Sequence, residues 1–299
     1  MAKTGKPRGK LRQKLEYLAI MAFFGAMWLV PYRLRNRYVG ACLRGFLGRR
    51  LGYRKRVMDN LDLIYPDIPQ IRKLQIANQV LDNAGRTFTE NMFPEQFQAQ
   101  DPDIKLHGAG LEAVLQAHKE GHPIMFYSGH FGNHEAFRAA LFKHGLKVGG
   151  MVRRMANPYF DVQYKRMLDI NGRGGPVFEA DKQGTLAMLK SLKTGTALVL
   201  LLDLAVGHGI AVNFMGHRVY CSVTAASFAL KTKALFVPYF SMRNRDGESF
   251  SVEIGTPIEH SDAETMTREA TKSLEERVHA DPGNWFWIHR RWKYCPPTD

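Results

Sequence analysis

Residues 124–137 read IMFYSGHFGNHEAF. The apolar run from Ile124 stops at Ser128-Gly129, and His130, Asn133, His134 and Glu135 follow within six positions. An apolar segment ending at glycine, then a titratable cluster opening a helical pattern, predicts strand, turn and helix. Open α/β sheets carry their chemistry at that place, the carboxyl end of a strand.

Outward from this stretch the same alternation recurs. Residues 104–107, 123–127, 146–152, 197–202, 235–242 and 250–254 read as strands. Residues 111–119, 133–144, 158–170, 183–192, 222–232 and 263–279 read as helices. Arg245-Asp246-Gly247 marks a hairpin-like turn between the last two strands. Upstream, 33–97 reads as helices broken at Pro66, Pro69 and Pro94: a basic amphipathic one to about Leu51, one over 57–65, and one running through Leu81 to Phe93. The pattern predicts an α/β fold with a central, largely parallel sheet flanked by helices. There are no internal repeats.

The chain has 299 residues and a formal net charge of +14. That charge is local. Residues 1–56 hold 15 of the basic residues, among them Lys3, Lys6 and Arg8, against the single acid Glu16. The rest of the chain is balanced at 27 basic and 27 acidic residues. Three scattered cysteines, Cys42, Cys221 and Cys295, form no CxxC and no disulfide framework, as suits a reducing compartment.

Between the basic blocks, residues 17–32 (YLAIMAFFGAMWLVPY) run 16 positions without a charge. As one helix they reach about 24 Å, just short of a hydrocarbon core of about 30 Å. No cleavage site follows, so a secretory signal does not fit. A buried core helix does not accommodate basic residues on both flanks. A membrane helix, spanning or lying in the interface, fits best, with the larger downstream charge placing the remainder on the cytoplasmic side. No helix-turn-helix, RNP or zinc-finger pattern supports nucleic acid as the partner. The expected organisation is a basic membrane-anchoring helical segment, 1–56, and an α/β catalytic domain, 57–299.

His130 and Glu135 stand five positions apart, about 140° around a regular helix axis. They meet only if His130 lies in the turn and Glu135 in the helix, with Gly129 and Gly132 supplying the backbone freedom. A carboxylate on one imidazole nitrogen fixes the tautomer and leaves the other nitrogen as a base. Ser128 lacks the G-x-S-x-G context of a nucleophile, so the chemistry implied is direct attack by a substrate hydroxyl or amine on an activated acyl group. Two other readings stay open. The spacing also arises by chance. His130 and His134, at i and i+4, match paired metal ligands of an ester hydrolase, with a third ligand to come from His107, His118, His122, His144, His208 or His217.

The chain resembles the bacterial lipid A late (secondary) acyltransferases, within the lysophospholipid acyltransferase group and its His-x4-Asp/Glu motif. GHFGNHE at 129–135 is close to the family's G-H-F-G-N-W-E, with His134 in place of Trp. Arg153 with Asn157-Pro158, LLLD at 200–203, Phe214-Met215-Gly216 with Thr224, and WFWIHRRWK at 285–293 match further blocks in order over nearly the full length. Leu202-Asp203-Leu204 departs from the usual Pro-Asp-Gln or Pro-Asp-His.

The resemblance implies a glycerolipid acyltransferase-like fold at the cytoplasmic face of the inner membrane. It implies transfer of a fatty acyl chain from acyl carrier protein, or acyl-CoA, to a hydroxyl of a lipid A precursor, without a further cofactor or metal. Another lysolipid acceptor is the alternative. His130 is then the expected general base and Glu135 its orienting partner. Asn133, Arg153 and Asp203 are expected substrate-binding residues: Asn133 near the reacting carbonyl, Arg153 on a phosphate or the oxyanion, Asp203 on Arg153 or the acceptor. The terminal aromatic-basic segment is read chiefly as packing, with Arg290, Arg291 and Lys293 facing water.

Overall fold

A computed structural model describes residues 9–294, so Lys3, Lys6 and Arg8 of the basic run, and Cys295, lie outside the described residues. The helices are α1 (Lys10–Trp28), α2 (Tyr32–Cys42), α3 (Gly48–Arg50), α4 (Tyr53–Ile64), α5 (Gln70–Met92), α6 (Pro94–Ala99), α7 (Leu111–Lys119), α8 (His134–Phe142), α9 (Pro158–Gly172), α10 (Lys182–Lys193), α11 (Thr224–Thr232) and α12 (Ala263–Ala280). The strands are β1 (Ile104–His107), β2 (Ile124–Ser128), β3 (Val148–Val152), β4 (Val177–Glu179), β5 (Ala197–Leu201), β6 (Ile210–Phe214), β7 (His217–Cys221), β8 (Leu235–Arg243) and β9 (Phe250–Ile254).

Seven strands form one sheet in the order β1-β9-β8-β2-β5-β3-β4. Strands β8, β2, β5, β3 and β4 run parallel. The β8–β9 hairpin turns the edge antiparallel, and β1 follows β9. The largely parallel centre is as the alternation predicts. All of β2 is buried, and its side chains alternate between faces. Ile124 and Phe126 join a core with Phe137 and Tyr239. Met125 and Tyr127 join another with α10, α11 and α12 residues such as Met188, Ala229 and Met266. Full burial of one such large side chain contributes roughly 1.5–3 kcal/mol.

Two features escaped the sequence pattern. Strand β4 is only three residues at the sheet edge. Strands β6 and β7 form a separate hairpin closed by Met215 and Gly216, both at positive φ (54° and 78°). That is the backbone of a two-residue primed turn, but Met-Gly lacks the usual Asn-Gly or Asp-Gly signature.

The N-terminal apolar run is not one helix. Helix α1 ends at Trp28 and α2 begins at Tyr32 after Pro31, because a residue preceding proline is pushed out of the helical region. Among the described residues no helix is long and apolar enough to cross a membrane. The uncharged part of α1, 17–28, reaches only about 18 Å. Arg35 seals the break. It is buried and donates to Trp28 O (3.2 Å), Val30 O (2.8 Å) and Gln96 Oε1 (2.6 Å), taking up carbonyls that a helix end leaves unpaired. Helix α1 also packs on the α/β body: Phe24 is buried with Met92, Phe93 and Met167, and Asn157 Nδ2 donates to Gln13 O (2.8 Å).

Candidate active site

The expected division of the central stretch is found: His130 is in the turn after β2, and Glu135 is in the first turn of α8. Ser128 is fully buried and donates to Tyr239 O (2.5 Å), so its hydroxyl is committed to the sheet. Gly132 sits at φ 45°, and a Cβ there would lie 2.5 Å from Ser241 O. Gly129 serves by close approach, since a Cβ would meet the Asp203 carboxylate at 3.0 Å. From above, Asn284–Phe286 pairs with the turn: Gly132 N–H donates to Asn284 O (2.8 Å) and Phe286 N–H to His130 O (2.9 Å).

His130 is paired with Asp203, not with Glu135. Its Nδ1 is 2.8 Å from Asp203 Oδ1, and its backbone N–H donates to Asp203 Oδ2 (2.7 Å). Trp285 Nε1 donates to the same Oδ2 (2.9 Å). Sheet register produces the pair. Strands β2 and β5 are parallel neighbours with Ser128 opposite Leu201, so two further residues on each chain bring 130 level with 203. Asp203 is almost fully buried, 1% exposed. Burial alone raises a carboxyl, but the His130 charge and hydrogen bond, aided by His289, hold Asp203 well below the usual carboxylate range. Burial pushes the His130 ring down, and the charge and hydrogen bond of Asp203 outweigh it, leaving the ring above its ordinary value. With Nδ1–H given to the carboxylate, Nε2 is the basic nitrogen.

Glu135 lies on the helix, away from that pair. Its carboxylate takes Arg138 Nη1 at 3.5 Å, one turn on, and His134 Nε2 lies at 3.4 Å. Both Glu135 and Arg138 are buried, so removing the acid strands a buried guanidinium. Glu135→Ala is expected to lower unfolding stability by about 3 kcal/mol, the low end for breaking a buried pair, measured by denaturant titration. Glu135→Gln, which keeps an acceptor toward Arg138, is expected to retain most of the activity.

Asn133, expected near the reacting carbonyl, is wholly buried and committed elsewhere. Its Oδ1 caps α8 by accepting Glu135 N–H (2.9 Å), and its Nδ2 donates to Glu90 Oε2 (2.7 Å). Glu90 also receives Asn36 Nδ2 (3.0 Å) and the two Nη nitrogens of Arg243 (2.7 and 2.6 Å). This buried network runs from α2 through α5 and β8 to the cap of α8, fixing the turn that carries His130 from below.

A residue with no spacing signal in the sequence, His289, completes the surroundings. The His289 ring lies edge-on to His130, centroids 4.5 Å apart. Burial, then the positive His130, push it down to about 4, so it is neutral at neutral pH. Its place within HRRW suggests packing, and only the antiparallel contact of Asn284–Phe286 with the turn reveals it. Arg291 of the same run does not face water. It is buried and donates to Leu204 O (3.1 Å), Tyr220 O (2.9 Å) and Cys221 Sγ (2.7 Å). Burial also lowers His134, against the pull of Glu135.

His130, His134 and His289 line a cleft of about 640 Å³ whose other walls are largely apolar, including Phe23 and Met27 of α1, Val39 of α2 and Phe88 of α5. Volume and lining suit an extended apolar ligand. Arg153 is exposed just after β3 and does not line this cleft. Continuing the β3–β5 register, in which Gly150 faces Val199, places it level with Leu202 at the same carboxyl edge. Among the described residues no three His, Cys, Asp or Glu side chains group to hold a metal ion, so the third ligand that the hydrolase reading needs is not assembled there.

The family model described as bacterial lipid A biosynthesis acyltransferase matches residues 4–294. A lipid A biosynthesis acyltransferase of Haemophilus influenzae is 25% identical over 247 residues, covering 79% of this chain and 76% of that protein. A lipid A biosynthesis lauroyltransferase of Escherichia coli is 25% identical over 295 residues, covering 91% and 90%.

Proposed function

The chain belongs to the bacterial lipid A biosynthesis acyltransferase family, and on that footing we propose that it moves a fatty acyl chain from acyl carrier protein to a hydroxyl of a lipid A precursor, with His130 as general base and Asp203 as its orienting partner. The observation that carries this reading is the His130–Asp203 pair set in the wall of an apolar cleft. Family membership supports an acyltransferase, and the pair gives it a base with a fixed tautomer.

In this reading the acyl chain of the thioester lies in the cleft. The acceptor hydroxyl hydrogen-bonds to His130 Nε2. As its oxygen attacks the thioester carbonyl, Nε2 takes the proton, and Asp203 stabilises the imidazolium. The C–O bond forms, the C–S bond breaks, and the imidazolium returns its proton to the leaving thiolate. No covalent acyl-enzyme is needed, consistent with the buried Ser128. Arg153, at the same sheet edge, is assigned to a phosphate of the acceptor.

Association with the cytoplasmic face of the inner membrane is part of the proposal. It is supported by large apolar side chains exposed around the α1–α2 break, Trp28 at 63%, Leu29 at 84%, Leu34 at 58% and Tyr38 at 70%, next to the exposed Arg33 and Arg37. Such a surface suits a helix lying in the interface of an anionic leaflet. The function is tested by incubating the purified protein with an acyl-carrier donor and a lipid A precursor. The expected product is the precursor heavier by one acyl chain. Release of free fatty acid with no acylated lipid contradicts the proposal.

A further inference from the structure

Beside the catalytic cleft, between α4 and the C-terminal segment, lies an open groove of about 560 Å³. Its lining holds four cations, Lys55, Arg56, Arg290 and Lys293, and one carboxylate, Asp59. Lys55, Arg290 and Lys293 are exposed. The Lys55–Asp59 pair is 79% and 57% exposed at its side chains, so it is weak and leaves the groove strongly positive. Arg56 joins the two spaces. It donates to Ile288 O (3.2 Å) and lines both the groove and the cleft that contains His130 and His289.

This groove differs from the apolar surface at the α1–α2 break. The most exposed apolar side chains there have few counterparts here, where Leu63, at 43%, is the large apolar residue standing open in the lining. A bilayer-facing surface needs apolar area to bury. A hydrated, cationic concavity instead complements an acidic protein surface, through which charge steers encounter.

We propose that this groove is the docking surface for an acidic carrier protein, which passes its thioester arm over Arg56 to His130. The proposal rests on the transferase reading and assigns that reading's donor a place. The groove receives the carrier, the cleft receives the acyl chain, and the apolar α1–α2 surface is left to the lipid.

The test compares two donors bearing the same acyl chain, one on acyl carrier protein and one on free pantetheine, with wild type and the Lys55→Glu/Arg290→Glu/Lys293→Glu variant. The expected result is a rise in KM for the carrier-borne donor of about tenfold or more, within the range of electrostatic steering, with kcat and the pantetheine donor unchanged. Unchanged transfer from the pantetheine donor also reports that the variant is folded. In wild type, without any substitution, added salt is expected to depress carrier-borne transfer and spare pantetheine-borne transfer. Equal kinetics with both donors, or a rise in KM for the lipid acceptor instead, overturns the proposal. Carrier-borne transfer that responds to neither salt nor charge reversal, with pantetheine-borne transfer intact, overturns the groove alone. Transfer from neither donor by wild type overturns the transferase reading itself.

Discussion

His130→Ala is expected to lower kcat for acyl transfer by roughly 10²–10⁴-fold, the usual worth of a positioned general base, with KM for both substrates little changed. The imidazole acts where the acceptor hydroxyl loses its proton, so its removal weakens the transition state and leaves apolar binding of the acyl chain intact. The turn is held by backbone bonds to Asn284 and Phe286, so the alanine variant is expected to keep its fold. Steady-state kinetics with a saturating acyl-carrier donor reads the effect. A variant within a few-fold of wild type would remove His130 from the chemistry.

Asp203→Asn is the second large effect. The carboxylate accepts His130 Nδ1, the His130 backbone N–H and Trp285 Nε1. An asparagine has one acceptor oxygen and an amide that must donate. If that amide faces Nδ1, the ring takes the other tautomer, Nε2 carries the proton, and the base is lost. A loss of about 10³–10⁴-fold in kcat is expected from the same substitution logic in histidine–carboxylate pairs. The pH profile gives a sign that a merely structural role does not. Neutral His130 is the active form, so activity rises as pH climbs through its pKa, which Asp203 holds above the ordinary value. Removing the charge lowers that pKa, so the acid limb of the residual activity is expected to move to lower pH. A limb that stays in place or moves upward contradicts the pairing.

The contrast between Asp203 and Glu135 shows what the chain's one-dimensional pattern contains. Strand β2, the turn, helix α8 and the parallel centre of the sheet follow from periodicity and from glycine positions, because those are local. The helix arithmetic rightly places His130 outside α8, yet it pairs the ring with the nearest acid in sequence. The actual partner lies 73 residues away, brought alongside by the β2–β5 register. Two neighbouring parallel strands that end at Ser128 and Leu201, and run on into Gly129-His130 and Leu202-Asp203, carry the signal, but strand order is needed to read it. The same limit hides His289, whose place beside His130 depends on Asn284–Phe286 pairing with the turn. It also hides the fate of Arg35 and Arg291, which composition counts as surface charge and the fold buries. Asn133 stands where a helix cap is expected, and capping, not contact with the reacting carbonyl, is its place in the fold. Its amide is consumed by Glu135 N–H and Glu90.

The division of the N-terminal apolar run follows from one residue. Pro31 was visible from the start, and its effect on the preceding backbone ends α1 before it reaches membrane-spanning length. What remains is a shorter helix that shields the cleft with Phe23 and Met27 and turns other apolar side chains outward.

The central claim, acylation of lipid A by a His130-dependent transferase, is tested most directly by mass spectrometry of lipid A from cells lacking the protein, complemented with either wild type or His130→Ala. Lipid A short by one acyl chain, restored by wild type and not by His130→Ala, is the predicted result. Unaltered lipid A in the deletion strain, or full restoration by His130→Ala, would contradict it.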